Sequence, residues 1–169
     1  MLLSRLARRL AGIGVKLGEA RSRGLECFGS HSHRFVLRPP LPEAAATRFE
    51  EEHGVLLPEG YRAFLTRLGN GGAGPYYGLL PLERCAASGG RTLSRPSPLW
   101  PRMPCDAAAD ALAGYGPGSL ADGAITLIEQ GCAYSSLLIV TGPHRGAVVN
   151  IDPYPSAPPY FARDGGFLA

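Results

Sequence analysis

The run from Pro58 to Gly74, PEGYRAFLTRLGNGGAG, limits what this chain can fold into more than any other stretch. Tyr61, Phe64, Leu65 and Leu68 fall at i, i+3, i+4 and i+7, the spacing that lines one face of a helix, while Arg62, Thr66 and Arg67 take the other. A helix of this kind must bury its apolar stripe. Pro58 suits the first helical position, where its missing N–H costs nothing, and Glu59 suits the positive end of the helix dipole. Gly69 stands where a left-handed C-terminal residue is wanted, and Asn70-Gly71-Gly72 tolerate positive φ, so the chain is expected to reverse there. Tyr76, Tyr77, Leu79, Leu80 and Leu82 then predict a strand, which Pro75, Gly78 and Pro81 confine to a short or edge one.

A second helix is expected from Glu43 to His53, with Ala44, Ala45 and Ala46 as strong formers and Gly54 as its stop. Beyond Ala124 the period changes. Ala124–Glu129, Tyr134–Thr141 and Ala147–Asp152 are rich in β-branched and apolar residues, and the short connections at Gln130-Gly131 and residues 142–146 predict an antiparallel meander. Leu137 to Val140 is continuously apolar, as in a central strand covered on both faces. Helices first and strands later give an α+β domain, its N-terminal helices packed on one face of a mainly antiparallel sheet. Residues 83–123 read as a long loop with a short helix at Asp106–Leu112, and Trp100 there is either a lid on the core or a binding residue.

The net charge of +3 is unevenly placed: residues 1–38 carry eight basic side chains against Glu19 and Glu26, and residues 39–169 carry nine against twelve acids. The chain divides on this basis into a basic N-terminal helix and linker (1–38) and an α+β domain (39–169). In the first, Leu3, Leu6, Leu10, Ile13 and Leu17 make an amphipathic helix with Arg5, Arg8, Arg9 and Lys16 between them. Three readings stay open for it: docking on the domain or a partner, lying on a membrane surface, or a frayed leader. Phe35-Val36-Leu37 reads as an added edge strand. No apolar run reaches the ~20 residues of a membrane span, and no signal peptide is visible, so a cytoplasmic protein with reduced thiols is expected. The dominance of Arg over Lys, with abundant Ala, Gly and Pro, suggests a high-GC bacterial coding sequence.

Most chemistry is excluded by context. Gly69-Asn70-Gly71-Gly72-Ala73-Gly74 satisfies G-x-G-x-x-G, but a dinucleotide fingerprint follows a strand and opens a helix, whereas these glycines end one. The four cysteines, Cys27, Cys85, Cys105 and Cys132, form no C-x-x-C pair, and Cys27 with His31 and His33 lacks a second ligand cluster, so no metal or other cofactor is expected. Cys132, just before a hydrophobic strand, is expected to pack as a small apolar residue. Ser135-Ser136 has no nucleophile-elbow glycines, and nothing in the spacing brings Glu129 and Asp152 together for acid–base work.

The order Leu57-Pro58-x-x-Tyr61-x-x-Phe64-Leu65, Asn70-Gly71-Gly72, Gly78-Leu79-Leu80-Pro81-Leu82 resembles the SUKH superfamily, best known for fungal cell-wall-assembly regulators. A second match runs from Gly131-Cys132-Ala133-Tyr134 through Leu137-Leu138-Ile139-Val140-Thr141-Gly142-Pro143 to Gly146. The two matches and the segment between them cover roughly residues 41 to 152. The resemblance implies a non-catalytic protein-binding domain: an immunity protein whose partner is a polymorphic toxin domain, often a nuclease, neutralised by occlusion, or else a regulatory scaffold without a toxin. An enzyme using the 83–123 loop is the remaining alternative. Family members usually continue into a terminal helix carrying a Trp, so the resemblance implies a truncated C-terminus. Nucleic acid is not expected as a partner of the globular part, which lacks a basic field. Since aromatics and Arg dominate interface hot spots, Tyr76, Tyr77, Trp100, Arg102 and Tyr134 around the long loop are the candidate partner-binding residues. Glu83 and Glu129, with Asp106 and Asp110, would steer a basic partner if they lie beside them. The competing reading is that these aromatics simply cover the sheet.

Overall fold

A computed structural model describes residues 2–86, 92–112, 122–152, 157–163 and 166–168. Residues 87–91 and 113–121 of the expected long loop lie outside the described residues, as do Pro153-Tyr154-Pro155 of the tail. Among the described residues, five helices precede the sheet: α1 (Leu2–Ser22), α2 (Glu43–His53), α3 (Glu59–Arg67), α4 (Leu82–Cys85) and α5 (Cys105–Leu112). A 3-10 turn at Ser30–Ser32 lies between α1 and α2. Four strands follow among these residues, β1 (Ala124–Gly131), β2 (Tyr134–Ile139), β3 (Val148–Ile151) and β4 (Tyr160–Phe161), antiparallel in the order β1-β2-β3-β4. The class is α+β.

Alternation along the strands divides the core between the two faces of the sheet. Ile125, Leu138 and Val140 share one cluster with Tyr61, Phe64 and Leu65 of α3, Phe49 of α2 and Leu10 of α1. Ala124, Leu137, Ile139, Val149 and Ile151 share the other with Leu99, Met103 and Ala108. The helical face is the one expected for α2 and α3. The second face is closed by the segment that reads as a long loop with a short helix, and there Leu99 and Met103 are buried while Trp100 is 43% exposed. Trp100 is therefore not the lid; its neighbours are.

The helix α1 docks on the domain. Leu10 and Ala20 are buried, Leu6 and Ile13 pack against the helical core, and Arg9 Nη1 donates to the Leu168 carbonyl at 2.6 Å. Leu6, Leu10 and Ile13 of the apolar stripe that a membrane surface would need are thus occupied by protein. Phe167 stacks edge-on against Tyr61 and Phe64, with ring centroids 4.9 and 5.1 Å away, so the tail covers the start and middle of α3.

Several local expectations are corrected. Pro58 caps α3 from outside rather than opening it; its carbonyl accepts the Arg62 amide at 2.9 Å. Gly69 is not left-handed. Its missing side chain instead lets Arg38 O approach to within 2.7 Å of where a Cβ would stand. The strand expected over Tyr76–Leu82 is a turn, one isolated bridge between Gly72 and Leu79, and then α4. Pro75 and Pro81 offer no N–H, Gly78 sits at φ 95°, and Pro81 serves as the N-cap of α4, so only Leu80 reaches the sheet, donating to Leu127 O at 2.8 Å. Likewise Phe35-Val36-Leu37 yields a single bridge, Leu37 to Gly72, because Phe35 is held at φ 56°. Cys132 is exposed: it and Ala133 form the two-residue loop of the β1–β2 hairpin at φ 49° and 69°, the left-handed pair of a type I′ turn.

Candidate functional site

Three chain segments meet beside the β1 edge. The arm from Phe28 to Arg38 lies against the turn at residues 75–78, and at Gly29 (φ 79°) any Cβ would stand 2.1 Å from Tyr76 O, so only glycine permits this approach. The turn leads into α4. The hairpin tip completes the set, since the Tyr77 ring lies 3.3 Å from where a Gly131 Cβ would be.

On the outside of this junction sits a continuous aromatic patch. The Phe28 ring lies 5.4 Å from that of Tyr77 and 6.3 Å from that of Tyr76, and His31 stands 6.1 Å from Tyr77. Phe28 is 66% exposed, Tyr76 and Tyr77 just over 40%, and none of the three belongs to either core cluster. Tyr134, also exposed, pairs across the hairpin with Gly131 and so flanks Tyr77.

Next to the patch lies a groove of about 330 Å³, lined among others by His33, Arg38, Tyr77, Gly78, Arg84 and Glu129. Its charges are paired: Arg38 meets Glu83 at 3.8 Å and Arg84 meets Glu129 at 3.9 Å, all four side chains more than half exposed. Burial pushes the Glu83 carboxyl up, and the Asn70 amide, its own backbone N–H and the Arg38 guanidinium outweigh this, holding it below the usual carboxylate range. Asn70 does further structural work here, for its Oδ1 accepts the Leu82 amide at 2.8 Å and so caps α4. His33 is buried, with 8% exposure. Its Nδ1 accepts the Phe35 amide at 3.0 Å, and its Nε2 has no hydrogen-bond partner among the described residues.

The backbone around the groove is strained. Arg34 (φ 48°), Phe35 (56°) and Tyr76 (53°) are left-handed without being glycine, as are Cys132 and Ala133 at the hairpin tip. Each such residue costs on the order of 1–3 kcal/mol and persists only where its surroundings enforce it.

The structure thus splits the residues singled out from the sequence. Tyr76, Tyr77, Glu83, Glu129 and Tyr134 fall at the β1 edge. Arg102 lies across the sheet, lining a different hollow with His144 and with Phe161 of β4, and Trp100 precedes it by two residues. Asp106 is on α5 over the second face, together with Asp110. Glu83 and Glu129 are each paired with arginine, so those two present no unbalanced acidic field to a basic partner. Glu129 and Asp152 do not form an acid–base pair: Glu129 aligns through Ser135 with Ile151, two strands or roughly 10 Å away, before Asp152 is reached. Ser136 is consumed structurally, donating to Asn150 Oδ1 at 2.7 Å and accepting from Gln130 Nε2 at 2.8 Å. Phe28 and Arg38 escaped the sequence reading, and His33 entered it only as a rejected metal ligand, because nothing in a run resembling a linker announces that it folds back over a turn some forty residues on; Arg84 escaped it because the segment that carries it reads as a strand end and loop.

No family model, no curated protein and no solved structure matches the chain.

Proposed function

We propose that this chain is a non-catalytic protein-binding domain whose contact face is the Phe28–Tyr76–Tyr77 patch. The observation that carries the reading is three large aromatics exposed side by side on a backbone held rigid by close packing and left-handed residues. Contiguous exposed aromatic surface of this kind is unusual on a protein that binds nothing, and aromatic anchors presented without entropy cost are what interface hot spots require. Through its resemblance to the SUKH superfamily, the partner is a toxin domain that the protein occludes in the cytoplasm. The paired state of Glu83 and Glu129 favours occlusion by shape and aromatic contact over mimicry of nucleic acid. Among the described residues no helix is long and apolar enough to cross a membrane.

The test is capture of a co-encoded partner by wild type and by Phe28→Ala and Tyr77→Ala, each first checked for native stability. Loss of one hot spot weakens binding about tenfold or more, equivalent to ~1.4 kcal/mol. Undiminished capture by both folded variants removes this face from consideration, and capture of a partner with no toxic activity replaces the immunity role with a regulatory one.

A further inference from the structure

The hollow at the β4 edge gathers positive charge in a domain that is otherwise acidic. Its volume is about 560 Å³, and it is lined among others by Arg102, Arg145, Arg163, His144 and Phe161, with no Asp or Glu among the described residues. Residues 39–169 hold nine basic side chains against twelve acids, and three of the nine stand here. Among the described residues none of these three makes an ion pair, whereas Arg62, Arg84 and Arg95 do. Asp164, which follows Arg163 in the sequence, lies outside the described residues. Even counted in full, its one carboxylate against three guanidiniums leaves two positive charges over. Like charges gathered without a counter-charge repel one another, and a concave site of one sign raises the local concentration of the opposite ion.

Three chain segments bring these groups together, and each is fixed by contacts of its own. Arg145, in the β2–β3 connection, donates from Nε and Nη2 to the Leu56 carbonyl at 3.2 and 2.9 Å, and from Nη2 to that of Leu57 at 2.9 Å. Those acceptors are neutral, so they orient the guanidinium without cancelling its charge. His144 beside it packs edge-on against Phe161, ring centroids 5.7 Å apart, and the Ala162 amide donates to Val148 O at 3.0 Å, which fixes the strand end that leads into Arg163. Arg102 is the third residue of the turn from Trp100 to Met103, closed by the Met103 amide on the Trp100 carbonyl at 3.2 Å, and it stands at φ 64°. Glycine or asparagine normally takes such a place after a proline, and any other residue there is strained. Backbone preference does not account for an arginine at this position.

We propose that this hollow binds the phosphate group of a small phosphorylated organic molecule, held by Arg102 and Arg163 in the field of Arg145, with Phe161 contacting the organic part. The site goes beyond the protein-binding reading and does not depend on it, for it lies at the other edge of the sheet from the aromatic patch. Guanidiniums present planar pairs of N–H donors that match phosphate oxygens. A phosphate monoester carries close to two negative charges at neutral pH, which meets the surplus here better than the single charge of a carboxylate. The volume falls within the ~300–1,000 Å³ of small-ligand sites. The arginines also form one concave cluster rather than a stripe along the surface, which suits a compact ligand over a polyanion.

Isothermal titration calorimetry on the full chain at fixed ionic strength tests this, with phenyl phosphate, inorganic phosphate and sodium acetate as probes. Phenyl phosphate is expected to bind saturably at one site with a dissociation constant of about 1 mM or tighter, inorganic phosphate more weakly, and acetate not measurably. Arg102 and Arg163 are exposed, so Arg102→Ala and Arg163→Ala should keep native stability while each weakens binding about tenfold or more. Arg163→Lys, which keeps the charge without the planar fork, recovers part of that loss, and Arg84→Ala at the β1 edge changes nothing. Absence of saturable phenyl phosphate binding, acetate bound as tightly as phosphate, or equal losses from Arg84→Ala and Arg102→Ala overturns the proposal. Inorganic phosphate bound as tightly as the ester overturns the organic ligand and leaves a site for the free ion. The wild-type titrations decide the matter even where a variant misfolds.

Discussion

Gly72 sits at φ 96°, and a Cβ there would lie 2.6 Å from the Val36 carbonyl and 2.9 Å from the Arg38 nitrogen. Both obstacles are backbone, so they cannot swing aside as a side chain would. The residue also bridges two segments, pairing with Leu37 on one side and Leu79 on the other, which makes it the joint between the N-terminal arm and the turn that carries Tyr76 and Tyr77. Gly72→Val combines an unfavourable left-handed β-branched residue with an unavoidable clash, and it is expected to cost at least about 3 kcal/mol. Urea denaturation of the purified variant checks this, and a loss below about 1 kcal/mol shows that the joint is not held as described. The positive φ of Gly71 and Gly72 was legible from the sequence because few residues other than glycine and asparagine tolerate that conformation. His33 was not, since whether a histidine nitrogen finds a partner depends on atoms far away in sequence.

At the scale of elements, α2 and α3 are tied by one arginine. Arg62 donates from Nε to Glu50 at 3.1 Å, from Nη2 to Thr47 at 3.1 Å, and from Nη1 to Glu43, while the same Glu50 accepts the Leu57 amide at 2.8 Å. The hydrogen bond from Arg62, helped by one with Thr66, holds the Glu43 carboxyl below its usual range. A depressed carboxyl stabilises the fold fully above its unfolded-state pKa, and the contribution disappears as pH falls through the folded value. Stability is therefore expected to decline from about pH 5 downward, with Glu43→Gln flattening part of that slope and Glu83→Gln another part, each modestly because both groups are solvent-exposed. Denaturant midpoints measured across this range on wild type and the two variants test the point; parallel curves for all three would sink it. The two helices themselves, β1 to β3 and their antiparallel order were readable, since a period of 3.6 or 2 survives in a chain that must bury one face of each element. The element that failed, Tyr76–Leu82, has strand-favouring side chains on a backbone that two prolines and a left-handed glycine deny to the ladder. Short elements such as β4 and α4 carry too few residues to establish any period.

For the molecule as a whole, the sheet separates two regions that the sequence places together. Tyr77, Glu83 and Glu129 belong to the β1 edge, whereas Arg102 and Phe161 line a hollow at the β4 edge, with β2 and β3 between. The segment around Trp100 fastens to the second face through Leu99 and Met103, each 1% exposed, whereas Trp100 is 43% exposed and lies outside that cluster. Stability and binding should therefore respond to different residues. Leu99→Ala and Met103→Ala each remove a fully buried side chain and are expected to cost about 2–5 kcal/mol, while Trp100→Ala costs less than about 1 kcal/mol. Partner capture should show the opposite pattern: Phe28→Ala and Tyr77→Ala weaken it at native stability, and folded Trp100→Ala and Arg102→Ala leave it unchanged. Because the two sets lie at different edges of the sheet, the Tyr77→Ala/Trp100→Ala double variant should equal the sum of the singles within about 0.5 kcal/mol in both assays. A measured coupling beyond that margin, or loss of capture on changing Trp100 alone, would mean that the partner spans both edges of the sheet and that the β1 edge is only part of its footprint.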